Sequence, residues 1–187
     1  MHKIHVVSNV LLWFFRLLLV LLPISLILFW VNAPLGTIHK YLGAGWASII
    51  AVNYAAHVPP ILHPLTIETK LLGLCISLIP FTVSALTLIF LIKLFKNYAQ
   101  NDIFSLQNAI YLKRIGWILL IGQLLGPVHQ ALLSAAMTWH NPPGYRMMTI
   151  SLDKTNFAVI IFSVMVILIS WIMAEAYKDR EVNKLII

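Results

Sequence analysis

The sequence has few charged residues and very few acids. Only 10% of its 187 residues are charged, and six Asp and Glu stand against thirteen Lys and Arg. A soluble domain of this length needs a far more polar surface, so the composition excludes that class of protein. The single cysteine, Cys75, excludes a disulfide framework and a metal site built from cysteines. The sequence also lacks strand patterns and glycine-rich phosphate loops, so classical catalysis finds little support.

Hydrophobic residues make up 60% of the sequence, and they are concentrated in four long runs. A helix crosses the hydrocarbon core of a bilayer with about 20 mostly apolar residues, and each run has that length. The runs cover residues 10–31, 71–92, 115–137 and 157–176. We therefore predict a single all-α domain over residues 1–187, an integral membrane four-helix bundle. Its outer loops are residues 32–70 and 138–156, and its inner loop is residues 93–114.

Basic residues indicate the orientation of the spans, because Lys and Arg accumulate on the cytoplasmic side of membrane proteins. With the N-terminus inside, nine of the thirteen bases face the cytoplasm: Lys3, Arg16, Lys93, Lys96, Lys113, Arg114, Lys178, Arg180 and Lys184. The other four are Lys40, Lys70, Arg146 and Lys154. Both termini are therefore predicted to be cytoplasmic. The net charge of +7 then reflects topology and attraction to anionic headgroups of the lipid bilayer, and we predict no direct binding of nucleic acid.

The two longest loops are predicted to lie at the membrane surface. The outer loop contains YLGAGWASIIAVNYAAHVPPILHPL, which has too few charges for a solvated linker and too many Gly and Pro for a span, so an interfacial segment fits it better. In the inner loop, Asn101-Asp102 indicates a turn and Ser105 is the predicted cap of a new helix. That helix is expected to lie along the inner interface and to turn at Gly116 into the third span. Thr66 and Asp153 are the predicted caps of the second and fourth helices.

Histidines are the first candidates for chemistry. Four of them are weak candidates for an outward-facing metal site: His57, His63, His129 and His140. No two of these have the i, i+4 spacing that places two ligands on one helix face, and Glu68 is the one acid nearby. We therefore predict no metal, no cofactor and no catalytic residue, and assign these imidazoles to hydrogen bonding at the interface.

Charged and small residues inside the spans lead to two further hypotheses. Arg16 lies within the first span and Glu175 lies near the inner end of the fourth, and unpaired charge in hydrocarbon is costly. We therefore predict an ion pair between Arg16 and Glu175 that pins the first helix to the last. Gly122 and Gly126 have the spacing that lets two backbones approach closely in lipid. This face is compatible with packing inside the bundle and with a homo-oligomer.

Residues 94–117 read LFKNYAQNDIFSLQNAIYLKRIGW. They combine an aromatic and basic helix end, a short turn, an Ile-Phe-Ser with an Asn after it, and bases before Gly-Trp. In these features the chain resembles a family of bacterial membrane proteins, domain of unknown function 2975. The resemblance extends to HPLTIETKLLGLCISLIPF, WHNPPGYR and ISWIMAEAYKDREVNKLII. The chain departs from the family at Asn101, where Gly is usual but Asn tolerates left-handed geometry, and at Ala176, where the family has Gly.

The resemblance implies four spans and an inner-membrane location, with an uncharacterised function. Members of the family are often encoded beside small helix-turn-helix regulators. The first hypothesis is therefore a non-enzymatic anchor or sensor that docks a cytosolic partner, such as a helix-turn-helix regulator. The surface expected to contact that partner, or lipid headgroups, comprises Lys96, Tyr98, Lys113 and Arg114.

Three alternatives stay open. A small transporter or channel is supported by Arg16, Glu175 and Gln123 in the spans, and a membrane-embedded enzyme acting on lipid is supported by the outer histidines. An assembly subunit would have neither a site nor a signal. Uptake into liposomes would favour the transporter, and outward-facing metal binding would favour the enzyme. Loss of partner binding on replacement of Lys113 and Arg114 would favour the anchor.

Overall fold

The computed structural model describes residues 2–32, 65–150 and 154–185. They form four helices: α1 (His2–Asn32), α2 (Ile67–Ala99), α3 (Leu106–Thr138) and α4 (Lys154–Leu185). Each helix contains a stretch that is long and apolar enough to cross a membrane, namely His5–Val31, Ile67–Ala99, Leu106–Thr138 and Asn156–Glu181. The described part of the chain is therefore all-helical as predicted, and the four predicted spans lie inside the four helices.

The helices are longer than the apolar runs that predicted them. At 1.5 Å per residue, the 33 residues of α2 extend over about 50 Å, and the hydrocarbon core of a bilayer is only about 30 Å thick. The helix begins inside the predicted outer loop, where Thr66 Oγ1 accepts the backbone N–H of Thr69 at 3.3 Å. This contact is the N-cap that the sequence predicts. Residues 33–64 of that loop and the predicted cap Asp153 lie outside the described residues.

The prediction of a separate interfacial helix before the third span is wrong. α3 is one continuous helix that passes through Gly116 and Trp117 without a turn. Gly116 lies directly against α4, and a Cβ atom at this position would stand 2.6 Å from Ile167 Cγ1 and 3.1 Å from the carbonyl oxygen of Ser163. The glycine therefore permits a close approach of two helices and does not form a turn.

The described residues fall into two compact units. The bounds of the first unit are Met1–Val20, Ala85–Ile121 and Lys154–Ile187, and those of the second are Leu21–Ser84 and Gly122–Asp153. Inside the first unit, the rings of Phe15 on α1 and Phe95 on α2 have centroids 5.5 Å apart. Its buried apolar residues come from all four helices: Leu12, Leu94, Ala109, Ile115 and Ile167.

The second unit is built around Trp30. Its buried apolar cluster consists of Leu26, Trp30, Leu133 and Met137. The indole lies against Gly73, where a Cβ atom would overlap the ring, and its Nε1–H donates to Ser77 Oγ at 3.2 Å. The Ser77 hydroxyl in turn donates to the Gly73 carbonyl oxygen at 2.7 Å. Two small residues one helical turn apart on α2, Gly73 and Ser77, therefore make room for the Trp30 indole.

After α3 the chain folds back along the helix that it has just left. The backbone N–H of Tyr145 donates to the Pro142 carbonyl oxygen at 3.0 Å, and Gly144 has a φ of 94°, which only glycine adopts easily. The next residues, Tyr145–Thr149, which we call the return segment, then bond to side chains of α3. Ser134 Oγ accepts the N–H of Thr149 at 2.9 Å, and Thr138 Oγ1 accepts the N–H of Met147 at 3.1 Å. The backbone N–H groups of Met147 and Thr149 thus donate to hydroxyl groups of α3 side chains.

Candidate functional site

The turn between α2 and α3, in the first unit, is organised by one buried amide. Asn108 has no exposed surface. Its Nδ2 donates to the carbonyl oxygens of Asp102 at 2.6 Å and of Ile103 at 3.0 Å, and its Oδ1 accepts from Asn97 Nδ2 at 2.7 Å. These bonds connect the last turn of α2, the loop and the first turn of α3. Because each bond satisfies a polar group that the turn would otherwise leave without a partner, Asn108 holds the turn in one conformation.

The backbone of this turn has the geometry that the sequence assigned to it. Asn101 has a φ of 61°, in the left-handed region that Asn tolerates better than most residues. The N–H of Asp102 donates to the Asn97 carbonyl oxygen at 3.0 Å, which closes the end of α2. Ser105 precedes α3, and its Oγ accepts the N–H of Asn108 at 3.4 Å. A left-handed Asn and a serine cap therefore reverse the chain within six residues, 100–105.

The surface of the turn combines a large aromatic ring with polar groups. The side chain of Phe104 is 67% exposed at the tip. Lys96, Asp102 and Gln107, all within eight residues of Phe104 in the sequence, are also exposed. We call these four residues the turn surface. It is a candidate contact site for another molecule, because it combines an aromatic ring with polar side chains.

The structure places the four predicted contact residues in two different environments. Lys96 is exposed on the last turns of α2, and the ring of Tyr98 packs edge-on against Phe95 with centroids 5.5 Å apart. Lys113 and Arg114 lie on α3, where both line a groove of about 420 Å³. The Arg114 guanidinium stands over the Phe90 ring, 5.3 Å from its centroid. Lys96 thus belongs to the turn surface, whereas Lys113 and Arg114 belong to the groove.

The structure does not pair Arg16 with Glu175. The Glu175 carboxylate accepts from Lys178 Nζ at 3.1 Å, one turn further along α4, and both side chains are about two-thirds exposed. Arg16 is exposed on α1. A neighbour on the same helix restricts a carboxylate less than a partner on another helix does, and such an exposed pair contributes only about 0–1 kcal/mol.

The candidate metal ligands are not gathered in the described part of the chain. His129 is buried on α3, and His140 is exposed after the end of that helix, with its Nδ1 3.3 Å from Thr69 Oγ1. Within the described residues no three His, Cys, Asp or Glu side chains come close enough to hold a metal ion together. His57 and His63 lie outside those residues.

The two glycines of the predicted contact face on α3 have different surroundings. A Cβ atom on Gly122 would stand 2.6 Å from Val83 Cγ1, so this glycine already serves packing between α2 and α3 in the second unit. Nothing lies within 4 Å of the corresponding position on Gly126. Only Gly126 therefore has open space in front of it.

Sequence reasoning missed the residues that carry this site. Asn108 was noted as part of a motif but not as the centre of the turn. The pattern that could have predicted this role is an Asn three residues after a capping Ser, because that spacing directs the Asn side chain back to the loop. Phe104 also had a signal, because it lies between a turn and a helix cap, where no core is available. No pattern in the sequence predicted the role of Phe90, since a Phe in a span normally faces lipid or packs against another helix.

A comparison with known protein families gave one finding. The family model described as "Protein of unknown function (DUF2975)" matches residues 50–187, a range that includes α2, the turn, α3 and α4. No match was found among curated proteins or among solved structures.

Proposed function

This chain belongs to the DUF2975 family of proteins of unknown function, and we propose that it is a non-enzymatic membrane anchor that docks a cytosolic protein. The distribution of its bases favours an orientation with both termini in the cytoplasm, and the resemblance to bacterial membrane proteins favours the inner membrane as its location. In this orientation the turn between α2 and α3 faces the cytosol. The turn surface of Lys96, Asp102, Phe104 and Gln107 is then the docking site.

The exposure of Phe104 on a constrained turn is the observation that carries this proposal. Full burial of a phenyl ring contributes about 2 kcal/mol, so a fold that leaves this ring in water gives up that stabilisation. A partner that covers the ring recovers it. The Asn97–Asn108 bond at 2.7 Å constrains the turn in advance, so a partner loses little free energy in ordering it.

The surroundings of Phe104 fit a protein partner. Aromatic residues at the centre of a contact and polar residues at its rim are the usual arrangement of binding hot spots. Lys96 and Asp102 supply charges of both signs at this rim, which favours a partner with mixed charge over a uniformly acidic one. Members of the family are often encoded beside small helix-turn-helix regulators, so such a regulator is the first partner to test.

The test is extraction of the chain from its native cells in mild detergent, followed by identification of the helix-turn-helix regulator that co-purifies with it. We expect the wild-type chain to retain the regulator in a fixed molar ratio. Phe104→Ala should weaken the complex by about thirtyfold, because the ring contributes about 2 kcal/mol when covered. The matched control is Phe157→Ala, which removes an equally large and 57% exposed ring from α4.

Two results would count against this proposal. One is retention of the regulator by Phe104→Ala at wild-type affinity, which would reject the turn surface as the docking site. The other is recovery of the wild-type chain alone, without any regulator. That result would place transport and lipid chemistry ahead of docking, and liposome uptake and outward-facing metal binding would then be measured.

A further inference from the structure

A second surface of the first unit lies further along α3, in the groove of about 420 Å³. Its walls change in character along the helix. The half of the groove nearer the turn contains Ile110, Lys113 and Arg114, and the other half contains Trp117, Ile118 and Ile121, together with Phe90 from α2. None of the lining residues is acidic. The groove therefore has a basic end, which also contains Ile110, and an adjoining apolar wall.

Two cations converge on one ring at the basic end. Lys93 Nζ and Arg114 Cζ each stand 5.3 Å from the centroid of Phe90, the lysine from α2 and the arginine from α3. The ring attracts each cation, and the cations repel one another. Lys113, next to Arg114 in the sequence, adds a third positive charge, from the groove lining. A bound anion would relieve the repulsion between them.

We propose that the groove binds a phospholipid with a net negative headgroup. From Arg114 to Ile121 the helix advances about 10 Å at 1.5 Å per residue. Over that distance the wall passes from basic to apolar, which is the order of groups in a phospholipid from phosphate to acyl chain. Arg114, which lines the groove, and Lys93, which stands over the Phe90 ring of the groove wall, hold the phosphate, and Trp117, Ile118 and Ile121 contact the chain. Basic pockets at the cytoplasmic ends of membrane helices are suited to such headgroups.

The membrane is the source of this ligand. Trp117 and Ile121 are exposed on the helix surface, so a chain that contacts them is continuous with the bilayer. A soluble phosphate compound would match only the basic end and would leave the apolar wall unused. The site is independent of the docking proposal, because none of the residues that line the groove belongs to the turn surface.

The experiment measures lipid binding by the full chain in mild detergent, with phosphatidylglycerol and phosphatidylcholine of identical chains. We expect the wild type to bind phosphatidylglycerol about tenfold more tightly. The variant Lys93→Gln/Arg114→Gln should lose this preference and keep its affinity for phosphatidylcholine. The control Lys178→Gln/Arg180→Gln makes the same change in charge at two exposed bases of α4, which do not line the groove, and should keep the preference.

Three results would overturn the lipid site: equal wild-type affinity for both lipids, an unchanged preference in the Lys93→Gln/Arg114→Gln variant, or loss of the preference in the control. Glycerol phosphate serves as a further probe, and binding as tight as that of phosphatidylglycerol would indicate a phosphate site without a lipid role. The unfolding temperature of each variant without added lipid checks the fold. If the double variant is unfolded, Lys93→Gln alone should still reduce the preference about threefold, and no reduction would again reject the site.

Discussion

At the scale of single residues, the uncharged side chain of Asn108 organises the turn between α2 and α3. The sequence had instead directed attention to the basic residues around this turn. The bases of the segment lie outside the turn or at its rim, and they leave its conformation unconstrained. Asn108 instead satisfies two carbonyl groups and one amide in a place without water. A buried polar group left without a partner costs about 1–3 kcal/mol. The turn therefore depends strongly on this one amide.

Replacement of Asn108 tests this dependence. Asn108→Leu keeps most of the volume but removes the partners of Asp102, Ile103 and Asn97. We expect the free energy of unfolding to fall by about 2–4 kcal/mol, as measured in mixtures of mild and denaturing detergent. The control Gln107→Leu changes an exposed neighbour on the same helical turn and should alter stability by less than about 0.5 kcal/mol. Equal stability of the two variants would show that the Asn108 bonds are dispensable.

At the scale of elements, the return segment shows what a non-helical backbone requires beside a membrane helix. Groups that no helix satisfies must find partners within the protein, because hydrocarbon offers none. Ser134 and Thr138 supply them to the backbone of Thr149 and Met147. Asn141 adds a third bond, from its Nδ2 to the Tyr145 carbonyl oxygen at 3.0 Å. Buried polar residues on α3 and just after it therefore support a loop. The transporter hypothesis would instead have assigned such residues to a transport pathway.

Hydrogen exchange can measure how strongly the hydrogen bonds to α3 stabilise the return segment. In the variant Ser134→Ala/Thr138→Val, the N–H groups of Thr149 and Met147 lose their acceptors. We expect these two amides to exchange about thirtyfold faster, since one net hydrogen bond contributes about 1 kcal/mol and the two together contribute about 2 kcal/mol. Thr82→Val is the control, because the Thr82 hydroxyl donates at 2.7 Å only to the Leu78 carbonyl of its own helix. Unchanged exchange at Met147 and Thr149 would mean that packing alone holds the segment.

At the scale of the whole molecule, the proposed functions depend on which side of the membrane each helix end faces. α3 is one helix, so its two ends, Leu106 and Thr138, are separated by about 50 Å at 1.5 Å per residue. This length exceeds the hydrocarbon thickness of about 30 Å. The distribution of bases in the sequence predicts that the turn surface and the return segment face opposite compartments.

Labelling of introduced cysteines determines this orientation. Cys75→Ser first removes the single native thiol. In this background, Gln107→Cys in the turn surface should react with a membrane-impermeant maleimide only after the cells are permeabilised. Pro143→Cys, exposed just after α3, should react in intact cells, because the excess of bases retains the other side in the cytoplasm. The reverse pattern would place the turn outside and would reject the cytosolic docking site, and equal labelling in denaturant confirms that both thiols are reactive.

The sequence by itself determined the features that arise from composition and local spacing. Four apolar runs of sufficient length predicted four helices, since hydrocarbon allows few other backbone structures. Asn101, Ser105 and Thr66 marked a turn and two caps, because these depend on a side chain and its nearest amides. The family followed from the same local motifs, and the match over residues 50–187 confirmed it.

Only the tertiary structure decided which residues meet across helices. Gly116 was expected to turn the chain and instead lies against Ile167. A glycine without a Cβ atom is compatible with a turn and with close helix packing, and the position of the neighbouring helix determines which of the two occurs. Glu175 pairs with Lys178 on its own helix. The number of charges in the sequence does not determine which partner a carboxylate takes. The convergence of Lys93 and Arg114 on Phe90 brings together residues 21 positions apart in the sequence. Contacts of this kind depend on the rotation and depth of each helix, which result from the packing of all four.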